Sequence, residues 1–180
     1  MDAAVSLFLQ NSLRCPVLNF LMIVITHLGD KGAIWLVTAV VLMIFPRTRR
    51  AGFGLIAIVG LCWLVNNQIL KRLVDRPRPC YVVEGLTALV SHSDSSSFPS
   101  GHACAGFACA YFLARSFPKK GGPWAYAPAA VIAFSRVYVG VHYLTDVLAG
   151  ALVGTLGSIL FFWLYPKVMD RLWPKGKHEK

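Results

Sequence analysis

Uncharged apolar runs recur along this chain, and they restrict what it can fold into. Ala33–Phe45, Ala51–Val65, Ala103–Leu113, Trp124–Phe134 and Val147–Tyr165 contain no Asp, Glu, Lys or Arg. With their flanks, several reach the roughly 17–25 residues that cross a bilayer's hydrocarbon core. Backbone N–H and C=O groups cannot be left bare in lipid, so such runs should be helices. The expected fold class is all-α: an integral membrane helical bundle with five or six transmembrane helices. Composition agrees, since 56% of the 180 residues are hydrophobic and 14% are charged, against about a quarter charged in soluble domains.

Three regions follow. Residues 1–30 mix apolar and polar positions, broken by Arg14, Cys15 and Pro16. They read as amino-terminal interfacial helices or a degenerate first span. The start lacks a basic segment before its apolar stretch and does not read as a cleaved signal peptide. Residues 31–166 form the membrane-embedded domain, interrupted by a polar loop over 72–98 whose Pro and Ser clusters break any helix. Residues 167–180 form a basic tail.

The formal charge is +10. Its basic residues sit between apolar runs, with no recognition motif, so nucleic acid is not an expected partner. The larger share, including Arg47, Arg49, Arg50, Lys119 and Arg171, falls on one side of the spans and places that side in the cytoplasm. The opposite side, with Lys71, Arg78 and Arg136, then faces out. That predicts a site on the extracytoplasmic side of the membrane. The five cysteines form no C-x-x-C and no paired zinc spacing, so no metal site is expected. Four of them lie in or beside apolar runs, where cysteine acts as a small hydrophobe.

Ionisable residues collect at the outer face. The second span ends in "KRLVDRPRP", the third begins with "PSGH", and the last two meet at "SRVYVGVHYLTD". These stretches bring Lys71, Arg78, Arg136, His102 and His142 to one membrane depth, with Asp146 one helical turn past His142. Ionisable residues at such positions are costly and mark functional sites. Arginine forks and a lysine suit phosphate oxygens. A helix start at Ser100 or Gly101 offers free N–H groups to an anion, and Gly101 lets a ligand approach the backbone. A carboxylate four residues after His142 can hold one ring nitrogen as N–H and leave the other as a nucleophile. His102, from another helix, can protonate a leaving oxygen.

Other polar residues carry weaker signals. Asn66, Asn67 and Gln68 read as interhelical hydrogen-bonding groups. Tyr138 and Tyr143 read as interfacial aromatics. His27 and His92 show no partner, and Arg72, Asp75 and Arg76 read as loop-shaping residues.

These motifs resemble those of the type 2 phosphatidic-acid phosphatase superfamily of membrane lipid phosphatases, whose pattern is K-x6-R-P, then P-S-G-H, then S-R-x5-H-x3-D. Lys71 to Arg78–Pro79, Pro99–His102, and Ser135–Arg136 with His142 and Asp146 match the three parts. The resemblance implies a helical bundle and a metal-independent, cofactor-free reaction through a phosphohistidine. His142 would be the nucleophile, Asp146 its orienting carboxylate and His102 the general acid. Lys71, Arg78, Ser100, Gly101 and Arg136 would hold the phosphate. The short layout is similar to small bacterial undecaprenyl-diphosphate phosphatases. The expected partner is therefore a lipid phosphate substrate among membrane lipids, with undecaprenyl diphosphate favoured. Phosphatidylglycerol phosphate and phosphatidic acid are the alternatives. A lipid transporter is the alternative of another class, and a haloperoxidase-like vanadate site a third.

Overall fold

In a computed structural model of the chain, residues 2–91, 96–119 and 121–172 are described. His92 to Ser95 of the serine-rich loop, Lys120, and the basic tail from Trp173 onward lie outside them. Among the described residues all regular structure is helical. The helices are α1 (Asp2–Leu13), α2 (Pro16–Leu28), α3 (Ala33–Ile44), α4 (Arg49–Trp63), α5 (Lys71–Val74), α6 (Pro79–Val82), α7 (Gly101–Ser116), α8 (Tyr126–Tyr138) and α9 (Leu144–Leu172). Pro16 opens α2 in its first turn, where a missing N–H breaks no helical bond. A π-helical turn, Leu64–Leu70, joins α4 to α5.

Two segments, Arg49–Val82 and Leu144–Arg171, are long and apolar enough to cross a membrane, and α2 with Asp30–Ile44 makes a third if that pair, bent by 49°, counts as one span. Helices α7 and α8 have 16 and 13 residues, fewer than the ~20 of a lone crossing. Length and composition thus support two or three spans among the described residues, not the five or six expected. Tight turns separate the shorter helices. Gly122–Ala125 is one such turn, and Asp30–Gly32 another, with Lys31 and Gly32 both at positive φ.

The core lies where α7 passes between α4, α8 and α9. Helix α9 shows two faces. Leu148, Leu152, Leu156 and Leu160 are exposed at four-residue intervals, a stripe fit for lipid. On the other face, a Cβ on Gly150 or Gly154 would come within 2.4 Å of the Ser100 carbonyl oxygen or 2.1 Å of that of Cys104. Small residues let the two backbones touch, and Ser158 Oγ completes the stripe by donating to the Ala108 carbonyl at 2.8 Å. Farther along, Phe112 packs its ring 5.8 Å from each of Phe161, Phe162 and Tyr165. Arg50 meets Asp170 at 2.7 Å at that end of the bundle.

The amino-terminal helices are part of the packed body. Both α1 and α2 lie against α8. Arg14 donates to the carbonyls of Thr87 and Tyr138 at 2.9 and 3.0 Å. Tyr138 donates its hydroxyl to Asn19 Oδ1 at 2.8 Å and is 1% exposed. Expected as an interfacial aromatic, it is instead a core residue clamping α2 to α8. Tyr143 is likewise buried, because the cation of Arg76 lies 3.9 Å above its ring.

Candidate active site

The site forms at the end of the bundle opposite the Arg50–Asp170 pair. The π-helical turn swings Asn66 inward, where its Nδ2 donates to the Pro99 carbonyl at 3.2 Å. Such turns recur at functional sites because they re-aim side chains within a helix. Lys71 follows at once. The chain then reverses at Asp75, which has positive φ, and delivers Arg78. This arginine is 4% exposed; it donates to the Val141 carbonyl at 3.0 Å and lies 3.3 Å from His142 Nε2.

Helix α7 begins at Gly101, with Ser100 preceding it. A serine there ordinarily caps the free N–H groups of the first turn. This one makes no side-chain cap, and its buried Oγ has no hydrogen-bond partner among the described residues. Ser100 is held through its backbone instead, its N–H donating to the Asp146 carbonyl at 2.9 Å. Gly101 lines the cavity, and a Cβ there would meet Asn66 at 3.4 Å.

The third stretch folds as a compact link between α8 and α9. Gly140 takes positive φ, a conformation glycine adopts without strain. The N–H groups of Val141 and His142 then turn back to the Arg136 carbonyl, each at 3.3 Å. That closure places His142 beside Arg136. Arg136 is 7% exposed and donates to Thr26 Oγ1 of α2, while its Nε has no partner among the described residues.

Asp146 reaches His142, but not across a shared helix face as the spacing suggested, because α9 starts only at Leu144. The carboxylate sits in the first turn and bends back, accepting the Tyr143 N–H on Oδ2 at 2.9 Å. This is half of a capping box, in a turn whose dipole favours an anion. The same oxygen lies 3.6 Å from His142 Nδ1, longer than a direct hydrogen bond. The ring is thus oriented with Nδ1 toward the carboxylate and Nε2 toward Arg78. Burial lowers the His142 pKa to about 3, outweighing the nearby carboxylate. The imidazole is therefore neutral near pH 7, with a lone pair available.

His142, His102, Arg136, Arg78, Lys71 and Gly101 line one cavity of about 780 Å³. Asp146 and Ser100 stand behind that lining. Away from the polar cluster, the wall is apolar: Leu36 of α3, Ile56, Val59 and Trp63 of α4, and Ala105 of α7. A neutral imidazole among fixed cations can attack an electrophile that carries negative charge. Among the described residues no three His, Cys, Asp or Glu side chains converge to hold a metal ion.

Two contributors were not legible beforehand. Asp30 places Oδ1 3.0 Å from His102 Nε2 and Oδ2 2.7 Å from His27 Nδ1, so His27 has a partner after all. Arg76 is more than a loop-shaping residue. Its Nη1 lies 2.6 Å from Asp146 Oδ1, and its Nη2 lies 3.0 Å from Asp2 of α1.

Residues 50–170 match the PAP2 superfamily. The chain belongs to the PAP2 superfamily. This PAP2 protein is 38% identical to phosphatidylglycerophosphatase B of Bacillus subtilis, an alignment covering 83% of this chain and 75% of that one. It is 34% identical to undecaprenyl-diphosphatase of Sulfolobus acidocaldarius, covering 84% of this chain and 73% of the relative. Its fold matches the crystal structure of a transmembrane PAP2-type phosphatidylglycerolphosphate phosphatase from Bacillus subtilis with a TM-score of 0.69, at 32% identity, covering 97% of this chain and 87% of that one. The crystal structure of Aquifex aeolicus LpxE matches with a TM-score of 0.64, at 25% identity, covering 87% and 92%. The PAP2 protein is a phosphatase of the lipid-phosphatase kind and a membrane protein.

Proposed function

We propose that this PAP2 protein removes the terminal phosphate from a membrane lipid phosphate or diphosphate through a phosphohistidine on His142. The observation that carries this reading is the single cavity, with His142, His102, Lys71, Arg78 and Arg136 at one end and an apolar wall of α3, α4 and α7 at the other. The phosphate binds among Lys71, Arg78 and Arg136, with Gly101 and Ser100 at the start of α7. The tail lies along Leu36, Ile56, Val59 and Trp63.

His142 Nε2 attacks phosphorus while the bond to the leaving oxygen breaks, and His102 gives that oxygen a proton. Water then attacks the phosphohistidine, His102 takes back a proton, and the P–N bond breaks to release phosphate. Asp146 keeps the Nδ1 side of His142 against negative charge, which stabilises the ring as it becomes cationic. The reaction needs no metal.

Undecaprenyl diphosphate is the favoured substrate, with phosphatidylglycerol phosphate second and phosphatidic acid third. Lys31, Lys71, Arg78 and Arg136 all line the cavity, and that much positive charge suits a diphosphate. The protein's place is the bacterial inner membrane with this cavity at the extracytoplasmic face; α4, α7, α8 and α9, with α2 and α3 counted as one span or two, make a bundle of five or six spans. The test is a kcat/KM panel of the three lipids in mixed micelles, with and without chelator, beside His142→Ala. Phosphate release that survives His142→Ala defeats the mechanism, and release abolished by chelator defeats its metal-free form.

A further inference from the structure

A general acid must hold a proton until the leaving group needs it, and His102 stands where holding one is difficult. It shares its cavity with Lys31, Lys71, Arg78, Arg136 and His142. Neighbouring cations disfavour a protonated imidazole. Among the described lining residues the sole carboxylate is Asp30, with Oδ1 3.0 Å from His102 Nε2. Its other oxygen is fixed by His27 Nδ1 at 2.7 Å.

The local backbone is shaped for this contact. Asp30 opens the tight turn between α2 and α3, where Lys31 and Gly32 have positive φ. A Cβ on Gly29 would come within 2.5 Å of His102 Cδ2, so the turn lies against the ring only with glycine there. All of this comes from a part of the chain outside the three phosphatase motifs.

We propose that Asp30 is the positioning residue of His102: its carboxylate orients the imidazole and favours its protonated form among the cavity's cations. This rests on the phosphohistidine reading. As the P–N bond to His142 forms and the P–O bond breaks, the proton on His102 Nδ1 passes to the leaving oxygen, Nε2 being engaged with Asp30. The neutral ring then accepts a proton from the attacking water as phosphate departs. Asp30 stays anionic throughout and exchanges no atoms.

The test measures kcat/KM against pH for Asp30→Asn with two substrates in detergent. Dioctanoyl phosphatidic acid has an alcohol leaving group that needs a proton, whereas p-nitrophenyl phosphate releases a stable phenolate. For the lipid, Asp30→Asn should move the basic limb down by about one pH unit and cost about tenfold or more above it. The loss on p-nitrophenyl phosphate should be several-fold smaller, and Asp30→Glu should restore the limb. An unmoved limb with equal losses on both substrates, or wild-type rates on both, overturns the proposal. If Asp30→Asn does not fold, Asp30→Glu decides alone: a limb displaced although the carboxylate remains overturns it. A wild-type protein inert toward both substrates, or a fully active His142→Ala, instead defeats the parent reading, whatever residue 30 does.

Discussion

Arg76 Nη1 lies 2.6 Å from Asp146 Oδ1, so the loop after α5 grips the carboxylate that stands behind His142. Asp146 is fully buried, and its Oδ2 is occupied by the Tyr143 N–H and faces His142. Each oxygen therefore has a separate duty. Asp2 meets the same arginine and accepts from the Thr145 hydroxyl, which ties α1 to the site.

Removing that grip should cost rate more than binding. Arg76→Ala leaves one oxygen of a buried carboxylate without its charged partner and loosens Asp146 behind His142, which should lower kcat about tenfold to a hundredfold. KM should move little, because Arg76 is not among the cavity-lining cations. Steady-state kinetics on one lipid phosphate checks this, and a change confined to KM would contradict it.

The depressed basicity of His142 sets a pH signature in stability. The unfolded chain binds a proton at residue 142 near the ordinary 6.5, whereas the folded ring resists until about 3. Between those values the unfolded state holds more protons. Stability from this residue is thus fully present above about pH 6.5 and lost as pH falls toward 3. His142→Gln should show a shallower fall in Tm than wild type across that window in detergent. Parallel curves would rule the effect out.

The contact of α7 with α9 predicts a contrast between two glycines. A Cβ on Gly154 would meet the Cys104 carbonyl oxygen at 2.1 Å, whereas one on Gly157 meets nothing within 4 Å. Gly154→Ala should destabilise by about 1–3 kcal/mol through overpacking. It should also lower activity, since these helices carry His102 and Asp146. Gly157→Ala should leave Tm unchanged or slightly higher, because alanine favours helix by about 1 kcal/mol over glycine. Paired thermal unfolding measurements decide it.

Gly60 tests the lipid groove. It lines the cavity on α4, and a Cβ there meets open space. Gly60→Leu should therefore fold and intrude on the tail path. KM for a long-chain lipid phosphate should rise about tenfold, with a much smaller rise for a short-chain analogue. Equal effects on both chain lengths would separate the apolar wall from substrate binding.

Much of the candidate site was legible because its residues sit at fixed spacings beside turns. Lys71 and Arg78 flank a chain reversal, Ser100 and Gly101 start a helix, and Arg136, His142 and Asp146 bracket the α8–α9 link. In each case local backbone chemistry puts the polar group at a helix end, and that much can be seen in one dimension. The helical character was legible for the same reason, since uncharged apolar runs leave the backbone no other way to satisfy itself in lipid. The number of crossings was less so, because α7 and α8, at 16 and 13 residues, are shorter than a lone crossing and are not counted by length and composition.

The sequence by itself determined which groups would be available for phosphate chemistry, and on which helix ends. Only the tertiary structure decided what holds them. Asp30 meets His102 across 72 residues and Arg76 meets Asp146 across 70, separations that carry no periodic trace. Asp30 in isolation is an acid in a Gly-containing turn, and Arg76 one of several basic residues in a proline-rich loop. They reach these partners when the α2–α3 turn packs on α7 and the α5–α6 loop meets the start of α9. Burial there makes an unpaired charge costly, and the partner that relieves it is chosen by proximity in space.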